Sequence, residues 1–442
     1  MRFTSQLEQT FELLQRIDGY PQPSDKIVRE FFRSHRYLGS HERRFISETV
    51  FGMLRSKRYL EFLRVGLLQQ YPISIDASSV RKYFPLYVVY CLAVEQVPAD
   101  QTVQSMSGFW QQTFPGTDLD KVVEWILEHR QIEYLPTDEL SALGIRYSFQ
   151  DWMVEDWFAE YGSETADLLQ ALNKPAQTAL RVNILKAARE QCMQRLREEG
   201  IGTVLTQHSP VGLVAEKRFN RDISGAFNDG WFEFQDEGSQ LISFIAAPEP
   251  GMLVIDACAG GGGKTLHLAE MMGNRGELIA FDAEPKRLKD LETRSRRAGV
   301  RCLITGQLGN IKREQYFGKA DLVLVDAPCS GVGTIRRNPD KKWSITKELV
   351  DHYASDQMKI LEDNSGFVKP NGRIVYATCS LLRKENENVI SKFQDSNREF
   401  MLEDVNPILH RLNIESHDAM VKLLPHLHNT DGFFVAVLRR GD

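Results

Sequence analysis

Met252-Leu253-Val254-Ile255-Asp256-Ala257-Cys258-Ala259-Gly260-Gly261-Gly262-Gly263-Lys264-Thr265 is an apolar run that ends on an acid and passes at once into four consecutive glycines. A strand that turns sharply into a helix through such a loop brings bare backbone close to a small molecule, because glycine has no Cβ to keep a ligand away. Two loops compete for this stretch. A triphosphate-binding loop needs glycine five positions before Gly263, where this chain has Cys258. The next apolar run ends at Asp282, nineteen residues after Gly263, the interval at which an acid accepts hydrogen bonds from ribose hydroxyls. The stretch therefore predicts a nucleoside-containing cofactor. Glycine spacing alone leaves open whether that is a dinucleotide or S-adenosylmethionine.

Outward from the loop, short apolar runs alternate with longer amphipathic ones. The runs are Met252–Asp256, Leu278–Asp282, Arg301–Thr305, Leu322–Asp326 and Arg373–Ala377. This alternation predicts an α/β domain built on a doubly wound parallel sheet, over residues 236–442. Before it, Ala179–Asn183 and Thr203–Leu205 read as strands around a helix Ala188–Glu199, a small α/β module over 144–235. From about Ser5 to Glu133 apolar residues recur at three and four, as at Phe45, Val50, Met53, Leu54 and Leu60, which predicts an all-helical domain over 1–143. Leu135-Pro136 and Gly144-Ile145 read as a linker, closing on Asp151 as the cap of a helix Trp152–Tyr161.

Length and composition bound the rest. A chain of 442 residues, 42% hydrophobic and 26% charged, is long enough for two or three cored domains and is ordinary globular material. Its net charge of −6 argues against a generic polyanion binder, so any nucleic-acid surface is local. Arg43-Arg44, Arg55–Arg58, Arg294–Arg297 and the stretch Arg336-Arg337 with Lys341-Lys342 are the basic clusters, each of which a solvated face also explains. Six cysteines without a CxxC pair make neither a disulfide framework nor a metal-ligand set, and reduced thiols fit a cytoplasmic protein. The N-terminus lacks the apolar core of a signal peptide, and the longest apolar run, Pro85–Val94, is too short to cross a bilayer.

Asp326-Ala327-Pro328-Cys329-Ser330 and Thr378-Cys379-Ser380 fall at the carboxyl ends of two predicted strands, where doubly wound sheets bind ligands. One such cysteine reads as core; two beside an acid point to chemistry. The chemistry they suit is methylation at carbon 5 of a pyrimidine, a carbon that is not nucleophilic until something adds to carbon 6. A thiolate suits that addition. Asp326 can hold the base through its ring nitrogen and exocyclic amine, while a second thiol assists loss of the carbon 5 proton or release of the adduct.

Those two motifs, with Gly331–Asp340 and the closing Thr430-Asp431-Gly432-Phe433-Phe434, resemble the Sun-type RNA cytosine-5 methyltransferases. The resemblance implies a Rossmann-like class I methyltransferase domain, S-adenosylmethionine as cofactor, Cys379 as nucleophile and Cys329 in product release. It also implies cofactor contacts from Cys258, Ala259, Gly260, Gly261, Gly262, Gly263, Lys264, Asp282, Gln307 and Asp326. The chain departs from the family at Gly260-Gly261, where Ala-Pro is usual, and at Gly306-Gln307, where Gly-Asp is usual; the loop keeps its backbone donors, and Gln307 can still accept from an adenine amine. The stretch Glu42–Leu63 resembles the NusB-like helical domain of bacterial ribosomal RNA members, and Leu180–Asn183 their small RNA-recognition-like module. The partner implied is RNA, specifically small-subunit ribosomal RNA, met by a monomer with Arg336, Arg337 and Lys341 on flanking phosphates. A tRNA substrate, a DNA cytosine methyltransferase attacking from Pro328-Cys329 without Cys379, and a noncatalytic RNA-binding assembly factor indifferent to both thiols are the alternatives.

Overall fold

The computed structural model describes residues 3–19, 22, 24–71, 73–76, 78–131, 134–307, 313–416 and 418–442. The chain divides into two compact units, Met1–Asn173 with Arg337–Ile345, and Lys174–Arg336 with Thr346–Asp442.

The first unit is helical. Its centre is the helix Ser79–Val89, prolonged by a wider turn Tyr90–Val94, so the long apolar run is a helix buried on every side. Phe11 packs against Tyr83, Phe84 and Tyr87 with ring centroids 6.0–6.4 Å apart, and Phe84 meets Trp110 at 5.3 Å. Among the described residues no helix is long and apolar enough to cross a membrane. The expected linker contains a helix, Glu139–Arg146, whose N-cap is Asp138. Gly144 sits inside it against the guanidinium of Arg58: a Cβ would lie 2.4 Å from Arg58 Nη1, so a side chain there would displace that group. Asp151 is the first residue of the next helix, behind the cap Gln150, and pairs with Arg58 at 2.7 Å.

The returning segment Arg337–Ile345 is bound into this unit by polar contacts. Ser24 donates its hydroxyl to Asp340 at 2.5 Å, and Trp343 Nε1 donates to the carbonyl of Leu54 at 3.0 Å. Lys342, read from sequence as part of a solvated basic cluster, is fully buried. Its Nζ donates to the carbonyls of Arg55 (2.8 Å) and Tyr147 (3.2 Å) and to Asn173, above the ring of Phe149, and burial pushes its pKa well below the ordinary lysine value.

The second unit holds two sheets. The smaller comprises β1 (Thr178–Val182), β2 (Thr203–Leu205), β3 (Gly212–Ala215) and β4 (Phe232–Phe234), antiparallel in the order β2-β3-β1-β4. Strand alternation sends Leu180, Val182, Leu213 and Phe232 to one face, over Cys192 and Leu196 of the helix Arg189–Glu198. The opposite parity carries Arg181, Glu233 and Gln235, all buried.

The larger sheet contains β5 (Leu253–Asp256), β6 (Glu277–Asp282), β7 (Leu303–Gln307), β8 (Ala320–Asp326), β9 (Val368–Thr378), β10 (Phe400–Leu402), β11 (Met420–Leu423) and β12 (Phe433–Arg440). Its order is β10-β12-β9-β8-β5-β6-β7, with β11 also on β12; β5 to β9 are mutually parallel and β12 is antiparallel to its three neighbours. Along β8, Leu322 and Leu324 enter one core and Val323 and Val325 the other. Burial on both faces, about 1.5–3 kcal/mol for each such side chain, is what makes these strands legible as continuous apolar runs. After β7 the chain crosses to the far side of β5, so β5 and β8 flank the switch point where ligands settle in such sheets.

Candidate active site

Register sets the site. In the ladders Asp256 pairs with Leu324, Asp282 with Gln307, and Asp326 with Ala377, so the carboxyl ends of β5 to β9 present their acids and the loops that follow along one edge. Asp256 is buried and accepts the Thr265 hydroxyl at 2.6 Å. Burial pushes its carboxyl up to about 7 against that hydrogen bond.

The glycine loop runs from β5 into the helix Gly263–Met271. Gly260 and Gly262 take positive φ, +54° and +86°, and a Cβ on Gly262 would lie 2.2 Å from Leu291. Only glycine serves at 262. Asp282 accepts from Gly260 N and from Glu284 N, both at 2.8 Å, fixing the acid to the loop while its oxygens keep further lone pairs. Cys258 N faces Asp256 at 3.4 Å, and burial pushes the Cys258 thiol far up, so it is a poor thiolate. Ala259 N donates to Phe281 O at 2.9 Å, tying the loop to β6. Gln307 ends β7 opposite Asp282; its side chain lies outside the described residues.

Lys264 is buried and its ammonium reaches Asp326 Oδ2 at 2.8 Å. Burial works against the Lys264 charge, but Asp326 more than offsets it, helped by the Cys379 sulfur and Asp256, and Lys264 is held above the ordinary lysine value. The attraction is mutual, so the ammonium favours negative charge on Cys379. Cys379 and Cys329 bring their sulfurs to 3.3 Å. The backbone of Cys379 is clasped: its carbonyl accepts from Gly333 N at 2.9 Å, and Gly333 O accepts from Gly432 N at 2.8 Å. A Cβ on Gly333 would lie 2.1 Å from Gly432 O and 2.8 Å from Cys379 O. The Gly331–Gly333 turn and the Thr430–Gly432 loop, far apart in sequence, thus meet at the backbone of Cys379.

Two expectations need correcting. Arg336 does not face solvent to grip phosphates: it is 4% exposed, and its guanidinium donates to the carbonyls of Thr430 (3.0 Å) and Asn429 (3.2 Å). Arg337 is exposed and Lys341 partly buried, so their placement does not contradict that role. The Arg294–Arg297 cluster is equally not a plain solvated face, since Arg294 and Arg297 converge on the carboxylate of Glu233, and Arg294 also donates to Gly261 O.

Sequence reading missed the residues that hold the loop from behind. Arg181, fully buried on β1, donates to Glu270 Oε1 (2.7 Å) and Oε2 (3.2 Å), to Gln235, and to the carbonyl of Gly263 at 2.5 Å. Burial raises the Glu270 carboxyl, with Arg181 pulling the other way. The small sheet's polar face is therefore packed on the glycine-loop helix rather than open to a nucleic acid.

The donor set fits S-adenosylmethionine. Backbone at Gly260, where a Cβ would meet nothing within 4 Å, leaves room for a close ligand, and acids at 282 and 326 suit a ribose diol and a cationic centre. Among the described residues no group of three His, Cys, Asp or Glu side chains could hold a metal ion.

Comparison with known proteins gives the family. Residues 243–439 match the family described as 16S rRNA methyltransferase RsmB/F, and residues 149–221 match the ferredoxin-like domain of RsmF/B-like methyltransferases. The chain is 31% identical to a probable ribosomal RNA small subunit methyltransferase B of Synechocystis sp., over 97% of this chain and 98% of that protein. It is 27% identical to the probable ribosomal RNA small subunit methyltransferase B of Bacillus subtilis, over the full length of both. The solved structure of a methyltransferase homolog protein from Pyrococcus horikoshii superposes with a TM-score of 0.58 at 27% identity, over 69% of this chain and all of that one.

Proposed function

Since the chain belongs to the RsmB/F family of S-adenosylmethionine-dependent ribosomal RNA methyltransferases, we propose that it methylates carbon 5 of a cytosine in small-subunit ribosomal RNA through a covalent adduct of Cys379 at carbon 6. The observation that carries the covalent mechanism is the pair of sulfurs 3.3 Å apart at the ends of β8 and β9, beside the Lys264–Asp326 ion pair. One thiol explains addition. Two explain addition followed by release.

S-adenosylmethionine supplies the electrophilic methyl group. The loop Cys258–Gly263, with Lys264, Asp282, Gln307 and Asp326, is the proposed cradle for it. Asp326, with Oδ2 held by Lys264, orients the base by accepting from its exocyclic amine, and Lys264 keeps the local charge suited to a Cys379 thiolate. Addition of that thiolate to carbon 6 moves electron density to carbon 5, which accepts the methyl group. Cys329, within proton-transfer distance of the Cys379 sulfur, then assists removal of the carbon 5 proton, so that the bond from carbon 6 to sulfur breaks and the ring regains aromaticity.

The test incubates the protein with radiolabelled S-adenosylmethionine and bacterial ribosomal RNA, as naked RNA and as small subunits, alongside Cys379→Ala and Cys329→Ala. No transfer by Cys379→Ala, and a denaturant-resistant protein–RNA complex with Cys329→Ala, are the expected results. Full methylation without Cys379 would overturn the mechanism. Transfer to tRNA or DNA in preference to ribosomal RNA would overturn the substrate.

A further inference from the structure

Strand register brings Asp326 and Ala377 side by side, but Cys329 and Cys379 lie beyond the last ladder bonds, on loops that need their own restraint. A single carboxylate spans both loops. Glu385 is fully buried and accepts from the Ser330 amide at 2.8 Å and the Ser330 hydroxyl at 2.5 Å. It also accepts from the Ser380 hydroxyl at 2.5 Å and from Gln357 Nε2 at 3.0 Å. Ser330 and Ser380 each follow one of the cysteines directly, and Gln357 also donates to Pro328 O, the carbonyl just before Cys329.

The carboxylate is itself fixed to the β9 side. Tyr376 OH donates to Glu385 O at 2.6 Å, and the neighbouring Asn386 donates to Ser380 O at 3.0 Å while accepting from Thr378 Oγ1 at 2.6 Å. The two oxygens of a carboxyl offer four lone-pair sites, and here four neutral donors converge on them from the two thiol-bearing loops and the helix Lys347–Ser365. An apolar residue would remove the shared acceptor, leaving the two hydroxyls to each other at 3.3 Å and the Ser330 amide without this carboxyl.

We propose that Glu385 is a positioning residue that sets the spacing of the two thiols, acting on each through the serine beside it. The inference rests on the two-thiol reading above for its catalytic meaning, but its geometric content is independent of that reading. Small displacements of reacting groups are expensive in rate, so the spacing matters.

The test uses a bifunctional bimane, which fluoresces once it has bridged two thiols, on the full-length protein with Cys329→Ala as the blank. Glu385→Ala is compared with the gentler Glu385→Gln and Ser380→Ala, which keep most of the network. Bridging of Cys329 to Cys379 should slow in Glu385→Ala on the order of tenfold to a hundredfold, and less in Glu385→Gln and Ser380→Ala. Single alkylation of each thiol by a monofunctional bimane, and the Kd for S-adenosylmethionine, should stay near wild type. The turnover number kcat should fall in the same order as bridging, with KM for S-adenosylmethionine unchanged. Wild-type bridging rates in folded Glu385→Gln and Ser380→Ala would overturn the positioning role. So would wild-type bridging in an inactive Glu385→Ala. Slowed bridging with methyl transfer undiminished would support the spacing role and overturn the two-thiol mechanism instead.

Discussion

Removing the Arg181 guanidinium measures how much the small sheet contributes to the cofactor loop. Arg181→Met leaves the Glu270 carboxylate buried without a cation and strips a donor from Gln235 and from the Gly263 carbonyl. Breaking a buried pair from one side costs about 3–5 kcal/mol where the charge persists, as for the guanidinium in Glu270→Leu; Glu270, already raised to about 7, takes up a proton in Arg181→Met, which holds that variant near the lower end. In Arg181→Met/Glu270→Leu neither charge is stranded, and the remaining loss is that of the Gly263 and Gln235 hydrogen bonds, about 1.5–3 kcal/mol. Urea unfolding of the full chain at neutral pH should therefore give a double variant more stable than the sum of the singles by at least about 3 kcal/mol. Because Gly263 opens the helix of the glycine loop, Arg181→Met should also weaken S-adenosylmethionine binding roughly tenfold, read by calorimetry. Single variants costing under about 1 kcal/mol, or strict additivity, would refute the claim that this pair holds the loop.

Two further outcomes follow from buried groups. Asp256 has a folded value of about 7, above its ordinary 3.8, so the fold favours its protonated form: that contribution is complete below about pH 4 and is lost as pH rises to 7. Asp256→Asn should remove from the urea-derived stability a downward slope of up to about 1.4 kcal/mol per pH unit across that window, and an unchanged slope would refute the assignment. Arg336→Ala should cost about 1–3 kcal/mol in unfolding free energy by freeing the Asn429 and Thr430 carbonyls, yet leave the salt dependence of RNA binding as it was; a salt slope reduced by about one would restore it to the phosphates.

What the sequence discloses follows from how many faces of an element are buried. Strands β5, β6, β8 and β9 pack on both faces, and their apolar runs stand out. Strand β7, at the sheet edge with Ile304 46% exposed, runs Leu303–Gln307 where the apolar pattern suggests Arg301–Thr305. Strands β10 and β11 are only three and four residues long, and β10 pairs with a strand some thirty residues on, so little local pattern marks them. Gly144 looks like punctuation because composition cannot distinguish a glycine that ends a helix from one that admits a neighbour's arginine. The acids and thiols at strand ends were legible, since ligand position in such a sheet follows from topology. Their supports were not.

Arg181 shows why. In Ala179-Leu180-Arg181-Val182-Asn183 the alternation correctly separates two faces, and a charged residue on the second face ordinarily means solvent. Here that face is covered by the helix Gly263–Met271, and the partner that makes burial tolerable, Glu270, is 89 positions away. The same holds for Glu233, matched by Arg294 and Arg297. Each charge, taken singly, predicts exposure; only the complementary set, brought together by the fold, is stable inside. Cutting the chain at 235/236, where the strand pattern changes, would separate Arg181 from Glu270 and Glu233 from its arginines. The small sheet and the glycine loop therefore stand or fall together, and the loop's shape depends on Arg181, 82 positions before Gly263.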